Sequence, residues 1–397
     1  MEQHLADVAS LVAGRPDNPF FVFRPETLKR ATRYFQSHFA GKILYAVKTN
    51  PEPHVIDMLY GLGIQSFDVA SLEEVRTVRS AYPTSELYFM HPVKSRKAIR
   101  EAYFEHGVRH FSLDSLSELK KILEETEFAK DLGLFVRLAI PNTYAELNLS
   151  EKFGIPLQQA PALLQKVRQY AKKVGICFHV GSQCMHPDAY RIAMRIAARV
   201  IEESEVTVDY FNIGGGFPSI YPGMTPPPLD DYFAAIAEEF ERINVSGHME
   251  LFAEPGRALV AESSSVVVRV DLRKGKSLYI NDGTYGSLFD AGISNFIYPV
   301  RLLREALPNA SQMIPYSFYG PTCDSLDFMK GPFYLPQDIM EGDYIEIGQM
   351  GAYGKTLATR FNGFGHEERV IFVRDEPLMT LYDGSHITRE PLEIIAA

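Results

Sequence analysis

From Lys42 to Gly256 the chain alternates short β-type runs with amphipathic helical stretches, which restricts it to a parallel sheet with crossover helices. Eight runs occur: Ile43–Val47, Gln65–Val69, Leu87–Met90, His110–Leu113, Leu134–Ala139, Ile176–Val180, Tyr210–Ile213 and Glu250–Ala253. Between them, Val55, Met58, Leu59 and Leu62 recur at helical spacing, and Leu163, Leu164, Val167, Tyr170, Ala171 and Val174 share one helical face. Eight strand–helix units in about 210 residues suit a closed (β/α)8 TIM-type barrel better than an open sheet.

Past Arg257 the texture changes. Val266–Val270, Ser277–Ile280, Tyr344–Ile347 and Arg369–Val373 are short β runs separated by Gly, Pro and Asp, so an all-β domain is expected over 257–397. The barrel is assigned to 25–256, and residues 1–24 are expected to join the all-β domain, with Phe20–Phe23 as a strand. The Pro-rich stretch 221–228 reads as a loop over the barrel rim, because barrel-type pattern resumes at Tyr232. A chain of 397 residues with 46% hydrophobic content is long enough for these two cores.

In such a barrel, side chains that do chemistry stand at the C-terminal ends of strands. Polar residues occupy those ends repeatedly: Lys48, Asp68, Arg137, His179, the turn Gly214-Gly215-Gly216, and Glu254. Singly each has an ordinary explanation: a lysine capping a strand, a tight glycine turn, a hydrogen-bonded histidine. Six on one rim are hard to obtain from surface decoration. Lys48 follows a buried-type run, where desolvation would favour the neutral amine that attacks an aldehyde. Gly214 to Gly216 and Gly256-Arg257 follow the seventh and eighth runs, the usual place for a barrel phosphate site. A carboxylate beside a ring nitrogen, here Glu254, would keep that nitrogen protonated. An amine for an aldehyde, a phosphate cradle and an acid for a ring nitrogen together describe pyridoxal 5'-phosphate.

The net charge of -10, with no long basic run, argues against a nucleic-acid partner and weakly favours a cationic small substrate. Cys177, Cys184 and Cys323 lack metal or disulfide spacing, so no metal is expected and a reducing cytoplasm fits best. No signal-type N-terminus or membrane-length apolar window occurs, so a soluble, unprocessed protein is expected.

The motifs that carry a family likeness are Tyr45-Ala-Val-Lys-Thr-Asn50, Phe67-Asp-Val-Ala-Ser71, His179-Val-Gly-Ser-Gln183, Asn212-Ile-Gly-Gly-Gly-Phe-Pro218, Ala253-Glu-Pro-Gly-Arg257, Gly320-Pro-Thr-Cys-Asp-Ser-Leu-Asp327, Gly351-Ala-Tyr353 and Phe361-Asn-Gly-Phe364. In these, over roughly residues 20–372, the chain resembles the fold type III pyridoxal-phosphate decarboxylases, with their alanine-racemase-like barrel, and most of all the ornithine decarboxylase branch.

The resemblance implies that Lys48 carries the cofactor as a Schiff base, His179 stacks on its ring and Glu254 pairs with the ring nitrogen. Ser182, Gly214, Gly215, Gly216, Gly256, Arg257 and Tyr353 would hold the phosphate, with Asp68 and Arg137 supporting the pocket. It implies a head-to-tail homodimer in which Cys323 and Asp324 enter the neighbour's site, Cys323 returning a proton to Cα and Asp324 holding a distal ammonium. Tyr285, Ser294 and Phe361 would complete the substrate pocket, and Lys152 would bridge to Asp327 across the interface. Where ornithine decarboxylases usually place a second aspartate, offset counting lands on Ser294, followed by Asn295, with Asp290 as a substitute if the loop is wound differently. The expected reaction is decarboxylation of L-ornithine to putrescine, with lysine/ornithine or diaminopimelate decarboxylation as alternatives. Cys323-Asp324-Ser325 speaks against diaminopimelate, whose enzymes pair the cysteine with Glu-Ser. A silent homologue of antizyme-inhibitor type would tend to lose the lysine, cysteine and phosphate residues, which are all present; an alanine racemase is disfavoured by Cys323.

Overall fold

A computed structural model describes residues 7–141, 144–147, 152–304, 312–365 and 369–382. The chain divides into two units, one made of Phe35–Pro218 and Pro226–Ala258, the other of Met1–Tyr34, Ser219–Thr225 and Leu259–Ala397. The boundaries therefore differ from those expected: one falls inside the helix Pro25–His38, and one after Ala258.

The first unit is a closed barrel of eight parallel strands: Lys42–Ala46, Ser66–Val69, Glu86–Phe89, His110–Leu113, Gly133–Arg137, Lys173–Cys177, Tyr210–Asn212 and Glu250–Ala253. Each expected run is there, but several strands stop short, so Lys48 and His179 lie in the turns beyond them. Three consecutive strand-to-helix loops end on serine caps: Ser71, Ser95 and Ser115 hydroxyls accept from the backbone N–H of Glu74, Ala98 and Glu118. The long helical face expected from Leu163 to Val174 is split. Its helix ends at Arg168, whose guanidinium donates to the carbonyls of Ala171 and Lys172, and Val174 belongs to the sixth strand.

Large side chains fill the barrel: Leu44, Tyr88, Met90, Phe135, Cys177, Tyr210 and Phe252 pack together, with the Phe135 and Tyr210 rings stacked 5.5 Å apart. A filled interior leaves chemistry only the rim. Gly175 makes room for this packing, since a Cβ there would overlap the Phe135 ring. Gly175→Ala is expected to lower stability by ~1–3 kcal/mol through overpacking, read as an earlier chemical-denaturation midpoint with an unchanged slope.

The second unit is an eight-stranded sheet. Its main path runs Val300–Leu303, Tyr344–Ile347, Ser264–Lys274, Ser277–Ile280, Met313–Tyr319, Phe328–Pro336. Phe20–Phe23 pairs antiparallel with the Ser264–Lys274 strand and parallel with Val370–Phe372, as the N-terminal contribution expected from sequence. The stretch read as a rim loop, 221–228, is divided instead: its first part belongs to the sheet unit, where Tyr221 is buried against Phe296 at 5.2 Å and Tyr298 at 5.5 Å. Its aromatic ring, hidden among turn-forming prolines, decides the placement. Among the described residues no helix is long and apolar enough to cross a membrane.

Candidate active site

Strand register brings the polar strand-end residues of the barrel together. Ala46 pairs with Asp68 on the next strand, and two residues on, in the turn Val47–Thr49, Lys48 Nζ meets Asp68 Oδ2 at 3.0 Å. Asp68 is 2% exposed and the Lys48 side chain 42%. Burial therefore does not strip the Lys48 amine of water, as its place after an apolar run suggests; a neighbouring carboxylate is what it faces. Glu74 lies close by, its carboxyl pushed up by burial, opposed by the N–H of Ala70, and pushed further by Asp68.

Arg137 ends the fifth strand, with its guanidinium 5.5 Å from the Phe153 ring centre. His179 accepts the N–H of Gly181 on Nδ1 at 2.9 Å, which leaves the proton on Nε2. Burial, then the charges of Arg137 and Lys48, hold this imidazole well below its usual range, so it is neutral. Glu254, 9% exposed, accepts from the Asn212 amide at 2.7 Å. Burial and Asp68 push its carboxyl up to about 7, against the pull of Lys48, Asn212 and Arg137. Lys48 and Arg137 thus act on both His179 and Glu254, and Asp68 on Glu254.

The glycines meet the same group from the other side. Gly214 and Gly216 have φ of +68° and +105°, and a Cβ would overlap the carbonyls of Phe178 and Gly181. At Gly215 a Cβ would stand 2.7 Å from the Glu254 carbonyl and 3.2 Å from His179 Nε2, and at Gly256 it would overlap the Thr49 hydroxyl beside Lys48. Arg257, 3% exposed, donates to Ser182 Oγ at 3.3 Å. A buried cation beside a serine hydroxyl, with a glycine turn on the same rim, suits a phosphate, the shielded acid a pyridine nitrogen, and the lysine an aldehyde. The residues present fit pyridoxal phosphate.

Tyr353, expected at the phosphate, lies in the sheet unit at the start of the helix Gly354–Leu357, with φ +60°. The same unit gathers the substrate candidates. Cys323 is exposed, and its N–H donates to Asn362 Oδ1 at 3.0 Å. Asp324 accepts from the Leu326 N–H at 3.0 Å and the Tyr285 hydroxyl at 2.7 Å, which hold its carboxyl below the usual range. The Tyr285 and Phe361 rings are 4.9 Å apart. Ser294 ends the helix Phe289–Ile293 half-buried, and Asp290 within that helix is 6% exposed. Asp327 is buried and accepts from the N–H of Thr284 and from the N–H and hydroxyl of Thr322. Lys152 is exposed, in the barrel unit, with Nζ 5.0 Å from the Phe153 ring centre.

Reading by charged and nucleophilic residue types passes over Asn212, although it opens the glycine motif; only its contacts reveal it. The Glu254 shift has a testable sign. Cofactor-free protein holds a proton here that the unfolded chain, with a carboxyl near 4.3, has released. Between about pH 4.3 and about 7 the folded form binds the extra proton, so stability falls as pH rises through that window. The carboxylic C=O infrared band of the cofactor-free protein is expected to vanish with a midpoint near 7, and to be missing in Glu254→Gln.

Residues 26–261 match the family described as pyridoxal-dependent decarboxylase, pyridoxal binding domain. The chain is 31% identical to the lysine/ornithine decarboxylase of Selenomonas ruminantium, over 92% of each. It is 30% identical to antizyme inhibitor 2 of Xenopus laevis, covering 85% of this chain and 77% of that protein. Among solved structures, the Paramecium bursaria Chlorella virus arginine decarboxylase superposes with a TM-score of 0.81 at 25% identity, over 92% of this chain and 99% of that one. With the family matched across the barrel and rim residues that fit its cofactor, the chain belongs to the pyridoxal-dependent decarboxylases and is an amino-acid decarboxylase that uses pyridoxal phosphate.

Proposed function

We propose that the protein converts L-ornithine to putrescine and carbon dioxide in the cytoplasm, as a homodimer with shared sites. The observation that carries this reading is the rim cluster: the Lys48–Asp68 ion pair, the buried Glu254 acid and the glycine turn that stands against the Glu254 carbonyl and His179. Bound there, pyridoxal phosphate supplies the sink for the electron pair left on Cα when carbon dioxide departs. Arg257, Ser182, Tyr353 and Gly214 to Gly216 with Gly256 hold the phosphate. Glu254 keeps a proton at the ring nitrogen, and neutral His179 lies against the ring face without adding charge. Asp68 supports the pocket by pairing with the Lys48 ammonium and orienting its nitrogen. Arg137 supports the pocket from the end of the fifth strand.

Cys323 and Asp324 enter the site of the other subunit, consistent with the exposure of Cys323 in a single chain. Cys323 delivers a proton to Cα, and the Asp324 carboxylate, held ionised by Leu326 and Tyr285, takes the distal ammonium. Tyr285, Phe361 and Ser294 line the remainder. Lys152 reaches Asp327 of the other subunit, joining the donors already on that carboxylate.

Ser294 in place of a second acid favours a second reading, in which lysine is accepted alongside ornithine, as the name of the Selenomonas relative states for that enzyme. Carbon dioxide release measured across ornithine, lysine, arginine and diaminopimelate decides it. Ornithine is expected to give the highest kcat/KM. Preference for diaminopimelate would overturn the role of Asp324, and no release from any of the four would favour a binding protein of the antizyme-inhibitor kind.

A further inference from the structure

On the reading that this rim holds pyridoxal phosphate, we infer that Asn212 is a positioning residue: its one amide ties the ring-nitrogen acid, Glu254, to the phosphate turn at Gly214. Asn212 is fully buried at the end of the seventh strand, in register with Cys177 on one side and Phe252 on the other. Its Nδ2 donates to Glu254 Oε1 at 2.7 Å, and its Oδ1 accepts the N–H of Gly214 at 2.8 Å. The two bonds fix the amide's sense, because a flip would set NH2 against N–H and oxygen against oxygen. The backbone closes the same loop, with Glu254 N–H donating to the Gly214 carbonyl at 2.8 Å. Gly214 leaves no room for a side chain, since its φ is +68° and a Cβ there would overlap the Phe178 carbonyl.

The chemistry favours an amide at this point. The charged and titratable groups that act on Glu254 are Asp68, Lys48, Arg137 and Cys177, so it already has one acid beside it. A neutral donor steadies the Glu254 carboxylate without competing for its proton, and it engages Oε1 so that Oε2 serves the ring nitrogen. A second carboxyl at the same distance would instead share one proton with Glu254. Asn212 thereby sets the span between the two anchor points of the cofactor.

The test titrates pyridoxal phosphate into cofactor-stripped wild type, Asn212→Ala, Glu254→Gln and the double variant, following near-visible absorption. Asn212→Ala is expected to weaken binding ~10- to 100-fold, the scale of a lost buried hydrogen bond to a charged group. The double variant is expected to lose less than the product of the two single losses, because the amide acts through the acid. Asn212→Asp keeps the side-chain size and the acceptor for Gly214, and serves if the alanine variant does not fold. In it the infrared midpoint of the Glu254 carboxyl, without cofactor, is expected to rise by about one pH unit or more. Wild type that binds pyridoxal phosphate while Asn212→Ala binds within about twofold of it, multiplicative losses in the double variant, or an unmoved midpoint in Asn212→Asp overturns the role of Asn212. Wild type that binds no pyridoxal phosphate overturns the cofactor reading beneath it as well.

Discussion

Lys48→Ala is expected to lower carbon dioxide release from ornithine by on the order of 10³-fold or more, and to remove the shift in near-visible absorption that the wild type gives as added pyridoxal phosphate binds. The amine that would hold the cofactor aldehyde is gone, and with it the lysine charge felt at both Glu254 and His179. The same substitution leaves Asp68, 2% exposed, without the cation 3.0 Å away. Because the lysine side chain is 42% exposed, water already screens that pair, and the loss of stability is expected to be small beside the loss of rate. Lys48→Arg separates the two effects. It keeps a positive charge for Asp68 but offers no amine that can shed its proton, so it should match the alanine variant in rate and the wild type in stability. Unchanged absorption in Lys48→Ala would remove the lysine from its role.

Cys323→Ala is expected to bind pyridoxal phosphate as the wild type does while turning over ~10²- to 10⁴-fold more slowly, the range for losing a positioned proton donor. Some turnovers would put the proton on the cofactor and not on Cα, so that the substrate nitrogen would stay with the cofactor and water would release an aldehyde in place of the amine. Mixing gives a sharper measurement. If the cysteine enters the neighbour's site, Lys48→Ala and Cys323→Ala proteins, each nearly inactive, recover roughly a quarter of wild-type activity after equal mixing and re-association. Random pairing makes half the dimers mixed, each with one intact Lys48–Cys323 combination. No recovery would place both residues in one subunit's site or remove Cys323 from the chemistry.

The barrel was legible because strand and helix periods are local: Phe67-Asp-Val and Leu251-Phe-Ala announce strands whatever lies beside them. The rim followed, since the polar residue closing each run must stand at the strand's C-terminal end. The sheet unit was harder to read. Val300–Leu303, Met313–Tyr319 and Phe328–Pro336 are strands that the chain does not advertise, because Pro315 and Gly331-Pro332 interrupt their alternation and long pairings, such as Ile314 with Leu335, hold them in place.

Local pattern alone specifies a parallel (β/α)8 barrel, a β-rich second unit and residue types suited to a phosphorylated pyridine. Long-range contacts set how those residues are held: Lys48 solvated and paired to Asp68, Tyr221 drawn into the sheet unit, and the Asn212 amide set on Glu254, 42 residues away in the chain. Propensity and periodicity are written in near neighbours, whereas a hydrogen bond between adjacent barrel strands, or the water left around an amine, depends on which distant segments the closed barrel sets side by side.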